Sequence, residues 1–335
     1  MQKTHIPALD GLRAVAVGLV LLSHSRVPGF HEAGIGVDIF FVLSGYLITS
    51  LLTREIEQTG KLALLKFYVR RLRRLTPPLL LLAIAYLAFA PAVWPERTAA
   101  QHASYVLAAV TYLMDFVRSG RPWFANPLEH TWSLAVEEHF YMLWPLALLG
   151  LRFLPRRFLF PALLTGCAVA TLWRCAGLYL YGWETAYFRF DFRLSGLLLG
   201  AALSVVPNVG KPVRFVLYAV ALGVVVVSMV YLQTALVLCT FAEAVAALTI
   251  LAVLQGEAWT SWLAYPVLVY VGRVSYGFYL FHYPLTWWLT DHVPWPVTLL
   301  FAGGGGLLLA SLSYHFVERP VLDGGFRQRH APVAA

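Results

Sequence analysis

Long apolar stretches, cut by short basic or aromatic loops, run through almost the whole chain. A bilayer core of about 30 Å takes about 20 helical residues. On that measure the pattern predicts about ten transmembrane helices, at 8–26, 35–52, 76–93, 131–150, 158–181, 191–206, 213–232, 236–255, 266–289 and 296–317. A further apolar stretch, Ser104 to Phe116, is shorter and lies between Pro95 and Pro122. It is predicted to be a re-entrant or interfacial segment near 101–118. The predicted fold class is an all-α integral membrane protein, with residues 1–320 forming a single transmembrane domain. Residues 321–335 are a cytoplasmic tail too short to fold alone.

Composition agrees with this pattern. Hydrophobic residues make up 59% of the chain, charged residues 13%, and the mean hydropathy is +0.69, outside the balance of a soluble domain. Cys167, Cys175 and Cys239 fall in apolar segments without ligand spacing, so neither a disulfide framework nor a metal site is indicated. The net charge of +8 matters through its placement. With 101–118 not spanning, seventeen Lys and Arg fall on the cytoplasmic side, five fall outside and three lie at membrane depth. That asymmetry predicts a multi-pass protein of the inner, cytoplasmic membrane with both termini in the cytoplasm. The excess charge faces membrane lipid, and no nucleic-acid partner is expected. Asp10 and Arg13 interrupt what would otherwise resemble a signal peptide and no small-residue cleavage pattern follows, so the first segment is expected to be retained.

Within that first segment, Arg13 and His24 bracket ten uncharged residues. A helix here carries one or both into the membrane, where ionisable side chains are costly and usually functional. Eleven residues return to within about 20° of the same azimuth, so the two share a helix face about 16 Å apart. The loop between the second and third spans holds Arg70, Arg71, Arg73 and Arg74 within five positions. Such a loop is a topology signal that also touches anionic lipid. Guanidinium forks, however, suit bidentate contact with phosphate better than lysine does, which points to a phosphate-rich cytoplasmic ligand.

Five motifs in order carry a family resemblance. They are Pro-Ala-Leu-Asp-Gly-Leu-Arg-Ala-Val-Ala-Val (7–17) with His24; Gly-Val-Asp-Ile-Phe-Phe-Val-Leu-Ser-Gly-Tyr-Leu-Ile-Thr (36–49); Arg71-Leu-Arg-Arg74 ahead of Pro77; His-Thr-Trp-Ser-Leu-Ala-Val-Glu-Glu-His-Phe-Tyr (130–141); and Val-Ser-Tyr-Gly-Phe-Tyr-Leu-Phe-His-Tyr-Pro (274–284). Together they resemble the acyltransferase-3 family, from about residue 5 to Arg319-Pro320. The resemblance implies a membrane enzyme that takes an acyl group from cytoplasmic acyl-CoA, as a co-substrate and not a bound cofactor. It would O-acylate a carbohydrate or another acceptor, with acetyl the expected group. Arg13 and His24 match the family's arginine and histidine separated by ten residues. Arg71 and Arg74 match its arginine pair separated by two. No hydrolase-like domain of the kind some relatives carry is expected after residue 320.

The chemistry then assigns candidates. Acyl transfer to a hydroxyl needs a base near neutrality, which suits the imidazole of His24; the same nitrogen also suits a transient acyl-imidazole, and both routes stay open. Glu137 and Glu138 point about 100° apart on a helix, so only one is expected to face a site shared with His24. Glu137 is the choice, as the group that fixes the imidazole's tautomer. Arg13, Arg71 and Arg74 are the expected donor-binding residues, with Asp10 holding Arg13 or capping the first helix. His282 either lines an acyl tunnel or is a satisfied core histidine. Ser44, outside any nucleophile-elbow pattern, is expected to pack, and Gly303–Gly306 to admit a close helix. Trp183 to Arg193 places aromatics and charges at the outer end of a span, either an interfacial belt or an acceptor platform with Arg189 or Asp191 meeting sugar hydroxyls. Asp191 and Arg193 also match a charged segment of the family, which makes them supporting candidates without an assigned role. The reading from another class is a transporter moving a lipid-linked or small polar substrate along the Arg13–His24 track; the chain shows no evident inverted repeat.

Overall fold

The computed structural model describes residues 5–30, 34–206 and 235–327, and among these there is no strand. The helices are α1 (Pro7–His24), α2 (Ile35–Thr59), α3 (Leu64–Val93), α4 (Ala99–Val110), α5 (Met114–Arg118), α6 (Trp132–Leu151), α7 (Arg156–Tyr181), α8 (Trp183–Phe188), α9 (Leu194–Leu203), α10 (Ala235–Gln255), α11 (Pro266–Arg273), α12 (Ser275–Leu289), α13 (Trp295–Ser313) and α14 (Arg319–Arg327). Local chemistry sets several ends. Pro7 opens α1, where its missing N–H costs nothing. Gly60 closes α2 with φ 68°, and Thr98 and Gln101 form a reciprocal capping box on α4.

Among the described residues, five helical runs are long and apolar enough to cross a membrane: α1, α2, α3, α7 and Trp295–Asp323. A sixth is counted if Cys239–Gln255 and the 3-10 turn Ala258–Ala264, bent by 96°, form one span. The remaining expected spans diverge for identifiable reasons. α6 matches 131–150, yet Ser133, Glu137, Glu138 and His139 dilute its hydropathy. The 191–206 segment yields only the 10-residue α9, because the turn Phe190–Phe192 and the buried Arg193 precede it. The 266–289 segment breaks at Val274 into α11 and α12. The 213–232 span, with Lys211 just before it and Arg214 at its start, lies outside the described residues. The 101–118 segment forms two short helices of 12 and 5 residues, separated by Tyr112 at φ 54°.

Helix α1 is central, packed by α2, α11, α12 and the 258–264 turn. Its approach to the turn and to α11 is at backbone range: a side chain at Gly11 would run into the Leu263 carbonyl of the turn, and one at Gly272 of α11 into the Asp10 carbonyl. Gly45 of α2 and Gly200 of α9 make the same exchange, against the Leu197 and Val42 carbonyls. Deeper in this block sit two buried ion pairs, Arg174–Glu243 at 2.8 Å and Arg193–Asp38 at 2.5 Å. Pairing is what makes charge tolerable at such depth. Outward faces are apolar, as on α3, where Leu80, Ile84, Leu87 and Phe89 are exposed, and such a face suits lipid.

Candidate active site

Two contacts fix the register of α1 against α12. Asp10 meets Gly272, just ahead of α12; at the other end, His24 Nδ1 lies 2.8 Å from His282 Nε2. The helices are therefore parallel, with Arg13 and His24 about 16 Å apart along α1. Helix α6 runs the opposite way. Residues at its start approach His282, with the His130 ring 6.1 Å from it, and Glu137 and Tyr141 reach the level of Ser44 and Arg71. A cavity opens at each level.

The cavity at the basic end has a volume of about 630 Å³, its open part included, and its charged lining is Arg13, Arg71, Arg74 and Glu137. Ser44 Oγ donates to Glu137 Oε1 at 2.6 Å. The Tyr141 hydroxyl stands 3.0 Å from Ser44 Oγ and 3.2 Å from Glu137 Oε2. Arg71 lies over the Tyr141 ring at 4.6 Å, and Arg13 donates to Asp10 at 2.9 Å. Asp10 also pairs with His5 and makes no side-chain cap on α1. Three guanidinium groups against one lining carboxylate leave the cavity cationic. Toward the histidine end its wall turns apolar, with Val37, Phe40, Phe41, Leu134 and Tyr279.

The cavity at the histidine end has a volume of about 910 Å³ on the same basis, lined by His24, His130, Glu129, Tyr283 and the aromatics Trp132, Trp183, Tyr187 and Phe188. Its hydrogen-bond pattern fixes the tautomers. His282 Nδ1 lies 3.0 Å from the Phe278 carbonyl, which only accepts, so that nitrogen carries the hydrogen and Nε2 of the neutral ring holds a lone pair. Nδ1 of His24 must then donate to it. The remaining nitrogen of His24, Nε2, is left as the base. Glu129 is already engaged: it accepts from the Tyr283 hydroxyl at 2.7 Å and from Arg118 at 3.0 Å. Arg118 also pairs with Glu184 of α8 and lies under the Phe188 ring at 4.5 Å, fastening α8 to the cavity rim.

Several expected placements change. The partner of His24 is His282, not Glu137; Glu137 belongs to the basic cavity with Ser44 and Tyr141. Ser44 is a polar lining residue and not a packing group. Glu138 lines neither cavity, so of the adjacent pair it is Glu137 that faces one. Arg193 is fully buried against Asp38 and Cys239, out of reach of any acceptor. Asp191 is held by Arg189 and by the Trp173 indole outside both cavities. Gly306, as expected of that run, lets α13 close on His282, whose Cβ would be 3.0 Å from an added Cβ.

The model of the acyltransferase domain matches residues 6–315. The chain belongs to the acyltransferase-3 family. O-acetyltransferase OatA of Staphylococcus aureus (strain NCTC 8325 / PS 47) is 31% identical over 357 residues, which cover 96% of this chain and 58% of that protein. A putative O-acetyltransferase of S. aureus (strain COL) is 29% identical over 353 residues, with the same two coverages. This acyltransferase-3 chain therefore spans 58% of the length of the curated relatives it matches. No solved structure matches it. Among the site residues of this family member, His130, Ser133 and Tyr279 escaped the reading of the sequence. A signal for two of them was present: His130, Ser133, Glu137 and Tyr141 recur at i, i+3, i+7 and i+11, a polar stripe that starts in the turn Glu129–Thr131 and continues down one face of the apolar α6.

Proposed function

We propose that the chain is a membrane O-acyltransferase that moves an acyl group, acetyl above all, from cytoplasmic acyl-CoA to a hydroxyl of a carbohydrate or glycosylated acceptor at the opposite membrane face. In this reading about ten helices span the inner membrane, both termini are cytoplasmic, and the basic cavity opens to the cytoplasm. Arg13, Arg71 and Arg74 take the nucleotide phosphates, for which guanidinium forks are suited, while the narrow pantetheine arm carries the thioester inward.

The observation that carries the reading is the His24 lone pair at one end of α1 and the arginine-lined cavity at the other. An acceptor sugar stacks on Trp132, Trp183, Tyr187 and Phe188, and its hydroxyl gives its proton to His24 Nε2 as its oxygen attacks the thioester carbonyl. The imidazolium that forms remains hydrogen-bonded to neutral His282, whose ring is held by the Phe278 carbonyl. The carbon–sulfur bond then breaks, the oxygen keeps the acyl group as an ester, and the thiolate takes a proton to leave as free coenzyme A.

The test is transfer in vesicles. Inverted vesicles, with the cytoplasmic face outward, should move label from added acetyl-CoA into envelope glycan trapped in the lumen, and right-side-out vesicles should need donor inside. Use of acetyl-CoA from the extracytoplasmic face alone would overturn the proposed sidedness. Unmodified glycan crossing the vesicle wall, without label entering it, would support transport instead.

A further inference from the structure

The two cavities share no lining residue. Between them stands a wall built from one turn of α12 and the residues leading into α6. Tyr279 and Ser133 face the basic cavity, and His130 faces the histidine cavity. The Tyr279 hydroxyl ties the three together: it donates to the His130 carbonyl at 2.8 Å and lies 2.6 Å from Ser133 Oγ. Its ring is wedged between Phe40 on the basic side, at 6.4 Å, and His130 and His282 on the other, at 5.4 and 5.7 Å.

The wall also holds an unmet polar demand. His130 is 1% exposed, and neither ring nitrogen makes a hydrogen bond; the Leu280 carbonyl is near the ring but outside hydrogen-bond geometry. Buried polar groups normally have partners. One left without a partner, in the partition between two cavities, fits a partition that opens onto a polar reactant.

The proposed reaction sharpens the point. Attack needs the acceptor oxygen about 3–3.5 Å from the thioester carbon, yet donor and acceptor enter from different cavities. The acyl group must therefore end at this wall. The geometry points to Tyr279 as the residue that sets acyl length and excludes water: its ring closes the apolar end of the basic cavity, and its hydroxyl, held by Ser133 and the His130 backbone, seals the wall until an acceptor hydroxyl displaces one of those bonds. This inference rests on the donor and acceptor assignment above. The side reaction it suppresses is hydrolysis, in which a water oxygen bonds to the acyl carbon, the carbon–sulfur bond breaks and a water proton passes to sulfur, giving a carboxylic acid and free thiol.

The experiment measures thiol release from acetyl-, butyryl- and hexanoyl-CoA in proteoliposomes without acceptor, and ester formation with envelope glycan. Tyr279→Phe keeps the ring and loses both bonds, so acceptor-free thiol release from acetyl-CoA should rise about tenfold, the scale of one to two lost hydrogen bonds. Ser133→Ala should leak in the same direction with chain preference unchanged, and Tyr279→Ala should shift preference toward butyryl- and hexanoyl-CoA. Wild-type leakage in both Tyr279→Phe and Ser133→Ala, with ester formation intact, would overturn the seal while leaving the acyltransferase reading standing. An unchanged chain preference in a folded Tyr279→Ala would overturn the assignment of acyl length. If the wild type consumes no acyl-CoA even with glycan present, the donor assignment falls and the wall falls with it.

Discussion

The two cavities border the same wall and differ in almost everything else. The basic cavity holds three arginines and a carboxylate that is hydrogen-bonded to Ser44 and Tyr141. The histidine cavity holds imidazoles and aromatic rings, and among the described residues its lining carboxylate, Glu129, is already paired with Arg118. In the proposed reading, the first would attract a polyanion and the second would receive a neutral, hydroxyl-rich ring. On that reading the difference would separate affinity from chemistry: charge suited to phosphate stays away from the imidazole proposed as an uncharged base.

The comparison breaks most easily at His24. His24→Ala should lower the transfer rate by about 10² to 10⁴-fold, the usual worth of a general acid or base, with acyl-CoA affinity and protein abundance unchanged. Single-turnover transfer and donor binding measured on the same preparation check it; a variant at half the wild-type rate would remove His24 from the chemistry. Trapping of acyl-histidine by acid quench would favour the covalent route over the base.

The basic end should fail in the opposite way. Arg71→Ala and Arg74→Ala should each weaken acyl-CoA binding by about 1.5 to 3 kcal/mol, the range for hydrogen bonds to charged groups, which is roughly 10- to 150-fold in Kd. The rate at saturating donor should hold, and lysine should rescue only in part. Normal donor binding with altered membrane topology would instead identify the arginines as an orientation signal.

His282→Phe tests the relay at smaller scale. It removes the acceptor for His24 Nδ1–H and should lower kcat about tenfold or somewhat more, consistent with one hydrogen bond to a charged imidazolium, while KM for acyl-CoA stays fixed. A change in KM alone would make His282 a packing residue. The smallest effect should come from Trp183→Ala, which should raise KM for the glycan about 3- to 10-fold, the worth of one aromatic contact, without moving donor binding.

What the sequence disclosed follows physical range. Runs such as 8–26, 35–52 and 158–181 announce helices because a membrane span is a local property of about 20 residues. The register of Arg13 and His24 on α1 was legible for the same reason. The partner of His24 was not, because His282 lies 258 positions away and nothing local links them. Helix α6 was legible at 131–150 even though Ser133, Glu137, Glu138 and His139 lower the hydropathy that marks a span. Arg193 was placed at membrane depth, but its counterion was not legible, because Asp38 sits on a helix 155 positions earlier.

The glycine contacts around α1 and α2 bear on how anything moves through this protein. Where backbone rests directly on backbone, as Gly11 does on Leu263 and Gly200 on Val42, there is no layer of side chains to repack, and sliding one helix past another means a collision of main chains. Such a block behaves like a bolted chassis. A rocking cycle of the alternating-access kind, which shifts whole helices around a fixed site, would have to break these seats together. Motion that leaves these seats intact would be confined to side chains and short loops, on the picosecond-to-microsecond scale of rotamer changes and small loop motions.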